Sequence, residues 1–235
     1  MRFPIQLLLA LCLIAGLQSC QREVDYAVPP TPTNGGSGGN NGGGGGGNNG
    51  GTTADSSYLP LATGNWWKFK DSTSGNFQTQ TVSSRTIPFN GRNFTAIALS
   101  PAASGVDTTY YTHDATDYRF LALVAMPNIR LEYLYLRDTV MGATWSTNAG
   151  SVNGFPATTQ GTVLETNISK NILGTTFQKV IHSYLEVTYG GIGIVARYHF
   201  YSAKGVGVIA IYSDLGMPGG PQSRVAQELE DYHLN

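Results

Sequence analysis

The sequence has only two cysteines, Cys12 and Cys20, and both stand within its first 20 residues. No intramolecular disulfide can therefore stabilise the rest of the chain. A folded domain in that part has to rely on buried apolar surface. Residues 57–235 are enough for this, because a chain of that size buries about 70% of its surface on folding.

The sequence also has no excess of positive or negative charge. The 235 residues carry 14 Lys and Arg against 15 Asp and Glu, a formal net charge of −1, and no run of five basic residues occurs. Nucleic-acid binding depends on clustered Lys and Arg side chains that neutralise phosphates. The sequence therefore indicates no nucleic-acid partner.

Recognisable catalytic motifs are also absent. Residues 57–235 contain no Gly-x-Ser-x-Gly elbow, no Ser-x-x-Lys pair and no His-Glu-x-x-His zinc motif. The sequence offers no paired cysteines for a zinc site after Cys20. We predict no catalytic residue, no metal site and no cofactor, which favours a non-catalytic domain.

The first 19 residues have the organisation of a signal peptide. Arg2 and the amino terminus supply positive charge, and residues 7–17 form an apolar run of 11 residues. This run is too short to span a bilayer, which takes about 20 residues, but it has the length of a signal-peptide core.

Leu17-Gln18-Ser19-Cys20 ends this segment and resembles the lipobox of bacterial lipoproteins. Leu17 and Ser19 match the aliphatic and small positions of that motif, whereas Gln18 departs from it. The resemblance implies cleavage between Ser19 and Cys20, a diacylglyceryl group on the Cys20 thiol, and a fatty acid such as palmitate on its amino group. Two or more acyl chains make membrane attachment stable, at about 0.8 kcal/mol per buried methylene.

The residues after Cys20 bear on its location. Gln21 stands where an Asp would resemble an inner-membrane retention signal, and Glu23 and Asp25 resemble the acidic export signals of some Gram-negative surface lipoproteins. The resemblance implies a lipid-anchored protein of the outer membrane, and the acidic pair favours exposure at the cell surface.

Residues 20–56 are predicted to form a disordered tether. A Pro-rich stretch at 29–32 precedes residues 34–51, which comprise 12 Gly, 5 Asn and 1 Ser. Such a segment has nothing to bury and behaves as a flexible coil. A coil of about 36 residues spans roughly 30–36 Å, comparable to the thickness of a bilayer.

Alternation and turn signals dominate residues 57–235, which we predict to form a single domain. Asn90-Gly91 predicts the type I′ turn of a β-hairpin between strands 78–89 and 92–100. Gly190-Gly191 predicts a second hairpin, to which the turn at 203–205 adds strand 206–212. Residues 225–234 suit a helix or a closing strand, and we predict a strand.

The predicted fold is all-β. Several strands have apolar residues on both faces, as in 131–136, which favours a strongly curved sheet that is covered on both sides. We expect one antiparallel sheet shaped like a half-barrel or barrel, with a β-sandwich as the alternative. The further strands are predicted at 66–70, 108–113, 118–126, 131–137, 161–169 and 177–182.

Two phrases of the sequence resemble a family. Residues 58–67 read Tyr-Leu-Pro-Leu-Ala-Thr-Gly-Asn-Trp-Trp, and residues 204–207 read Lys-Gly-Val-Gly. Together they resemble a large group of Gram-negative lipoproteins whose domains begin with Tyr-x-Pro-Leu-x-x-Gly-x-x-Trp and carry Lys-Gly-Val-Gly near their end. The curved sheet is also similar to the half-barrel of lipoprotein localisation factors. Neither resemblance implies a catalytic residue.

The same phrases have a packing interpretation. We expect Leu59, Leu61 and Trp67 to plug one end of the sheet. Gly205 and Gly207 would then allow a bend and close packing beneath a bulky side chain such as Trp.

The histidines offer one conceivable cluster. His182 and Glu186 share a face of their predicted strand, and His199 shares a face with Arg197 and Tyr201. If these strands are neighbours, a His182–Glu186–His199 cluster would suit a metal ion or acid–base chemistry. A solvated polar face is the commoner explanation of such residues.

Aromatic residues make up 11% of the chain, and tyrosines recur along the predicted strands. A Tyr ring with its polar tip suits ligand contacts, although Tyr is also a good strand former. The residues that we expect to face a ligand are Tyr133, Tyr135, Arg197, His199 and Tyr201.

Three functions are consistent with these features. The first is a non-catalytic module that binds or carries a lipid, glycan or protein ligand, in a cavity or groove lined by apolar and aromatic residues. The second is a structural or accessory subunit of an envelope complex, recognised by an exposed apolar patch. The third is a hydrolase, which requires titratable groups that converge in a cleft.

Overall fold

The computed structural model describes residues 56–103, 106–123 and 129–235. The predicted signal peptide, Cys20 and most of the Gly-rich tether lie outside these residues. The described part forms twelve β-strands: β1 Trp66–Asp71, β2 Phe77–Phe89, β3 Arg92–Ala103, β4 Val106–His113, β5 Asp117–Leu123, β6 Arg130–Arg137, β7 Thr144–Val152, β8 Phe155–Ile172, β9 Thr175–Tyr189, β10 Gly193–Ala203, β11 Gly207–Gly216 and β12 Gln222–His233.

The strands form one antiparallel sheet in the order β6-β5-β4-β3-β2-β1-β12-β11-β10-β9-β8-β7. It consists of two six-stranded meanders joined by the pairing of β1 with β12. The sheet curls into a nearly closed barrel shape, because β6 and β7 at its two edges lie against each other. The predicted all-β fold with a strongly curved antiparallel sheet is confirmed.

The turn chemistry explains most of the strand boundaries. Asn90 and Gly91 have φ angles of 47° and 74°, as the predicted hairpin between β2 and β3 requires. Asn153 and Gly154 have the same conformation between β7 and β8, with φ of 50° and 82°. The sequence prediction missed β7 although it carried this signal. The strand predicted at 225–234 is confirmed as part of β12.

Strand β6 fills much of the interior. A closed twelve-stranded sheet would enclose a lumen, but β6 packs against the inner face of β8 and β9, and all its residues from Leu131 to Leu136 are buried. Side chains of the opposite half bind its backbone: Trp145 Nε1 donates to the Leu134 carbonyl at 2.9 Å, and Ser183 Oγ donates to the Tyr135 carbonyl at 2.7 Å.

The segment before β1 plugs one end of the sheet. Leu59 is buried, and Leu61 packs beside it against the core. Trp67 Nε1 donates to the Val206 carbonyl at 2.7 Å, and a Cβ atom on Gly207 would lie 3.2 Å from that indole nitrogen. The expected packing of a Trp over Gly207 is therefore confirmed, and Gly207 also needs its positive φ of 109°.

Within the described ranges, we find no helix of the length and apolarity that a membrane crossing demands.

Candidate functional site

The five residues expected to face a ligand lie on opposite sides of the sheet. Tyr133 and Tyr135 are 5% and 0% exposed and pack in the interior. The Tyr135 ring contacts Phe200 at 5.0 Å and Phe120 at 5.9 Å between ring centroids. These tyrosines thus occupy the space in which a ligand cavity was expected.

Arg197, His199 and Tyr201 lie on the outer face of β10, opposite outward residues of β9. The structure brings His182 and His199 together, with 2.9 Å between His182 Nε2 and His199 Nδ1. Glu186 does not contact the two histidines. It accepts a hydrogen bond from the Tyr184 hydroxyl and forms an ion pair with Arg197.

Glu165 of β8 takes the expected place of Glu186. Its Oε2 lies 2.7 Å from His182 Nδ1. Two register irregularities, between Val163 and Glu165 and between Glu165 and Ile168, bring this carboxylate opposite His182. The result is a hydrogen-bonded chain from Glu165 through His182 to His199.

The hydrogen bonds of this chain define its tautomers when both rings are neutral. His182 donates from Nδ1 to Glu165, so His182 Nε2 accepts from His199 Nδ1. Burial lowers the pKa of His182, although the hydrogen bond that this ring donates to Glu165 opposes the effect. Burial, followed by the neighbouring His182, also lowers the pKa of His199. Both rings are therefore neutral at pH 7.

Aromatic and cationic groups cover the histidine chain. The Tyr201 ring stacks on His182 with centroids 4.1 Å apart. Lys170 Nζ lies 4.1 Å from the centroid of the Tyr201 ring. The Tyr184 ring contacts His199 at 5.1 Å. Within the described ranges, no three His, Cys, Asp or Glu side chains converge as a metal site would require.

A polar pocket that the sequence did not predict lies at the ends of β3, β4 and β5. It has a volume of about 250 Å³. Its lining combines hydrogen-bond donors and acceptors in a small space. The lining residues are Arg92, Asn93, Thr112, His113, Asp114 and Arg119.

Arg119 connects this pocket to buried carboxylates. Its guanidinium contacts Asp117 at 2.7 Å and Glu132 at 3.3 Å, and all three side chains are nearly buried. Arg137 holds Asp117 with two further hydrogen bonds of 2.7 and 3.0 Å. Burial alone would raise the pKa of Asp117, but the hydrogen bonds and charges of Arg137 and Arg119 lower it.

Glu132 is held from the β2–β3 hairpin. Asn90 Nδ2 donates to its Oε2 at 2.9 Å, and Arg92 Nη1 lies 3.3 Å from its Oε1. Arg92 and Arg119 therefore share one carboxylate while both line the pocket. The hairpin turn that the sequence predicted thus also supplies part of this polar cluster.

One nitrogen of Arg119 stands apart from the ion pairs. Arg119 is 9% exposed, and within the described residues its Nε has no hydrogen-bond partner. A buried N–H without a partner costs about 1–3 kcal/mol. The arginines Arg92, Arg119 and Arg137 are matched by the carboxylates of Asp114, Asp117 and Glu132. The cluster around the pocket is therefore balanced in charge and does not require that a ligand carry charge.

The sequence did contain a signal for this pocket. Glu132 interrupts the otherwise apolar run 131–136, and Arg119 lies between Tyr118 and Phe120. Charged residues in strands that are apolar on both sides are almost never fully buried unless they are paired. This rule points to a buried ion-pair cluster, but not to the strands that combine to form it.

A small apolar cavity also lies beneath the plug. It measures about 20 Å³ and is lined by residues including Leu59, Trp67 and Tyr111. A single water needs about 10–15 Å³, and apolar cavities of this kind stay dry. The cavity is therefore too small for a lipid chain.

No family model matches the chain, and no curated protein does. Among solved structures, the chain is similar to the crystal structure of a candidate lipoprotein from Parabacteroides distasonis, with 10% identity and a TM-score of 0.42. The alignment covers 75% of this chain and 98% of that one.

Proposed function

We propose that this protein is an outer-membrane lipoprotein, anchored through Cys20, whose β-domain binds a small hydroxyl-rich ligand such as a sugar unit. The pocket at Arg92 and Arg119 carries the proposal. Its volume of about 250 Å³ is bordered by hydrogen-bond donors and acceptors, which a ligand rich in hydroxyl groups can satisfy. The domain acts by binding, without a chemical step.

The chemistry of the lining favours a sugar over the other ligand classes considered. A hydroxyl group both donates and accepts, which suits a pocket where Arg92 and Arg119 donate and Asp114 accepts. The balanced charge of the cluster gives an anion no excess attraction. A lipid tail would need apolar volume, and the apolar cavity of about 20 Å³ offers too little.

Ligand binding can be tested on the purified lipoprotein in detergent. Glucose, galactose, mannose, N-acetylglucosamine and glucuronate would be titrated while amide resonances are followed by NMR. We expect a neutral sugar to shift resonances of Asn93, Thr112 and Arg119. The absence of shifts with all five sugars, or stronger binding of glucuronate than of any neutral sugar, would contradict the proposal.

Two variants change the lining. Arg119→Lys keeps the charge but cannot reproduce the contacts of both Nη atoms with Asp117 and Glu132, so the affinity should fall by about tenfold and the free energy of unfolding should fall with it. Asn93→Ala changes the lining without touching the ion pairs, and should also weaken binding. Arg197→Ala, on the opposite half of the sheet, is the matched control and should leave affinity unchanged.

A further inference from the structure

The tether enters the domain at one defined end. The Ser57 carbonyl accepts a hydrogen bond of 2.7 Å from the Gly205 amide, and the Tyr58 amide donates to the Tyr118 hydroxyl at 3.2 Å. Lys204 Nζ lies 5.7 Å from the Tyr58 ring centroid. The chain that leads from Cys20 therefore joins the sheet beside the β10–β11 turn.

The antiparallel order fixes which other turns share that end. β1 begins there, and every strand runs opposite to its neighbours. All even-numbered strands therefore end at the tether side. The connections at this end are 114–116, 138–143, 173–174 and 204–206, whereas the 90–91 turn folds back onto Glu132 near the start of β6.

The most exposed large apolar side chains of the described part are gathered at this tether end. Val140 and Met141, in the β6–β7 connection, are 72% and 68% exposed. Leu173, in the β8–β9 turn, is 47% exposed. By contrast, Phe77 begins β2 at the opposite end, is 42% exposed, and lies beneath Lys68 Nζ at 4.5 Å.

We infer that the tether end of the sheet contacts the bilayer, with Val140, Met141 and Leu173 inserted at its surface. The inference rests on the Cys20 anchor proposed above. Apolar groups on turn tips gain free energy when they leave water for the headgroup boundary. Because the tether enters at the same end, an anchored domain can reach the membrane with these turns without reversing its direction.

The bilayer is the occupant that this placement favours. A protein partner could bind any exposed part of the domain, whereas a short path from the anchor to the bilayer favours apolar tips at the end where the tether enters. Val140, Met141 and Leu173 meet that condition on two separate connections. A second copy of the chain or another protein remains a distinguishable outcome of the test.

The test uses the full lipoprotein in vesicles of phosphatidylethanolamine and phosphatidylglycerol that contain nitroxide-labelled lipid. Met141→Cys and Phe77→Cys each receive an environment-sensitive fluorophore, since lipidation blocks the thiol of Cys20. We expect lipid quenching severalfold stronger at position 141 than at the matched control position 77. Adding Val140→Asp to the Met141→Cys variant should bring quenching down to that of position 77.

The outcomes distinguish the anchor from the contact. Flotation with the vesicles reports the anchor, and failure to float would refute both the anchor and this inference. Flotation with equal, weak lipid quenching at 141 and 77 would refute the membrane contact alone. A fluorophore at 141 that is shielded from aqueous iodide but not quenched by lipid would refute it too, in favour of a protein partner.

Discussion

The two halves of the sheet each contain a polar cluster, and the clusters differ in one respect. In β1–β6, the buried carboxylates of Asp117 and Glu132 bind arginines that border a pocket of about 250 Å³. In β7–β12, Glu165 binds a histidine chain that is covered by the stacked ring of Tyr201. One cluster borders open volume, whereas the other is filled by its own side chains.

The difference shows how a binding site is told from a structural network. At His182 both ring nitrogens have partners, and the Tyr201 ring stacks on one face of the imidazole. At Arg119 the guanidinium satisfies two carboxylates and still has an Nε without a partner in the described residues. A polar lining that borders open volume can bind a ligand, whereas polar groups that bind one another without open volume between them stabilise the fold.

Removal of the buried arginine should have the largest effect on stability. Arg119→Met leaves Asp117 and Glu132 with fewer partners in a buried environment, which typically costs about 3–5 kcal/mol. The free energy of unfolding in urea measures this loss. Arg197→Met breaks a partly exposed ion pair with Glu186 and should cost no more than about 1 kcal/mol. Equal losses in the two variants would show that Arg119 has no special structural role.

The fold could be predicted from the sequence because its turns are local. Asn90-Gly91 and Gly190-Gly191 set hairpins whose strands alternate in the expected way. The packing of the interior could not be predicted, because Tyr133 and Tyr135 show the same strand pattern whether they face a cavity or fill it. Their position depends on how β6 meets β8 and β9, which are distant in sequence.

The candidate sites were predictable only in part, for a related reason. The pairing of His182 with His199 follows from strand neighbourhood and the period of two. Glu165, and not the predicted Glu186, contacts His182 because the register of β8 is irregular there. Asn167 in the same stretch has a positive φ of 54°. A bulge moves a residue out of the period of two, so alternation along the sequence assigns it to the wrong position.

Acidification should remove the stabilising contributions of the two clusters in different pH ranges. The pKa of His182 and that of His199 are lowered from 6.5, so the unfolded chain binds protons more readily. Their contribution to stability is complete above pH 6.5 and is lost as the pH falls below it. The pKa of Asp117 is lowered from 3.8, so its contribution is lost only below pH 3.8.

The free energy of unfolding, measured in urea from neutral pH to below 3.8, tests this separation. The double variant His182→Gln and His199→Gln should flatten the decline that begins at pH 6.5 and leave the acid decline intact. A decline between these two values that persists unchanged in the double variant would assign it to other groups.

The smallest expected effect concerns the cation over the histidine cluster. Lys170→Met removes the ammonium above Tyr201, a contact of about 0.5–1 kcal/mol. Burial is the main cause of the lowered pKa of His182, and the charge of Lys170 lowers it further. The variant should therefore raise the pKa of His182, which NMR titration of its ring protons measures. Lys204→Met, which removes a similar contact over Tyr58, is the control and should leave that pKa unchanged. If Lys170→Met lowered the pKa of His182 or left it unchanged, burial and Glu165 alone would determine that pKa. The contrast between the histidine cluster and the arginine pocket would then rest on packing rather than on charge.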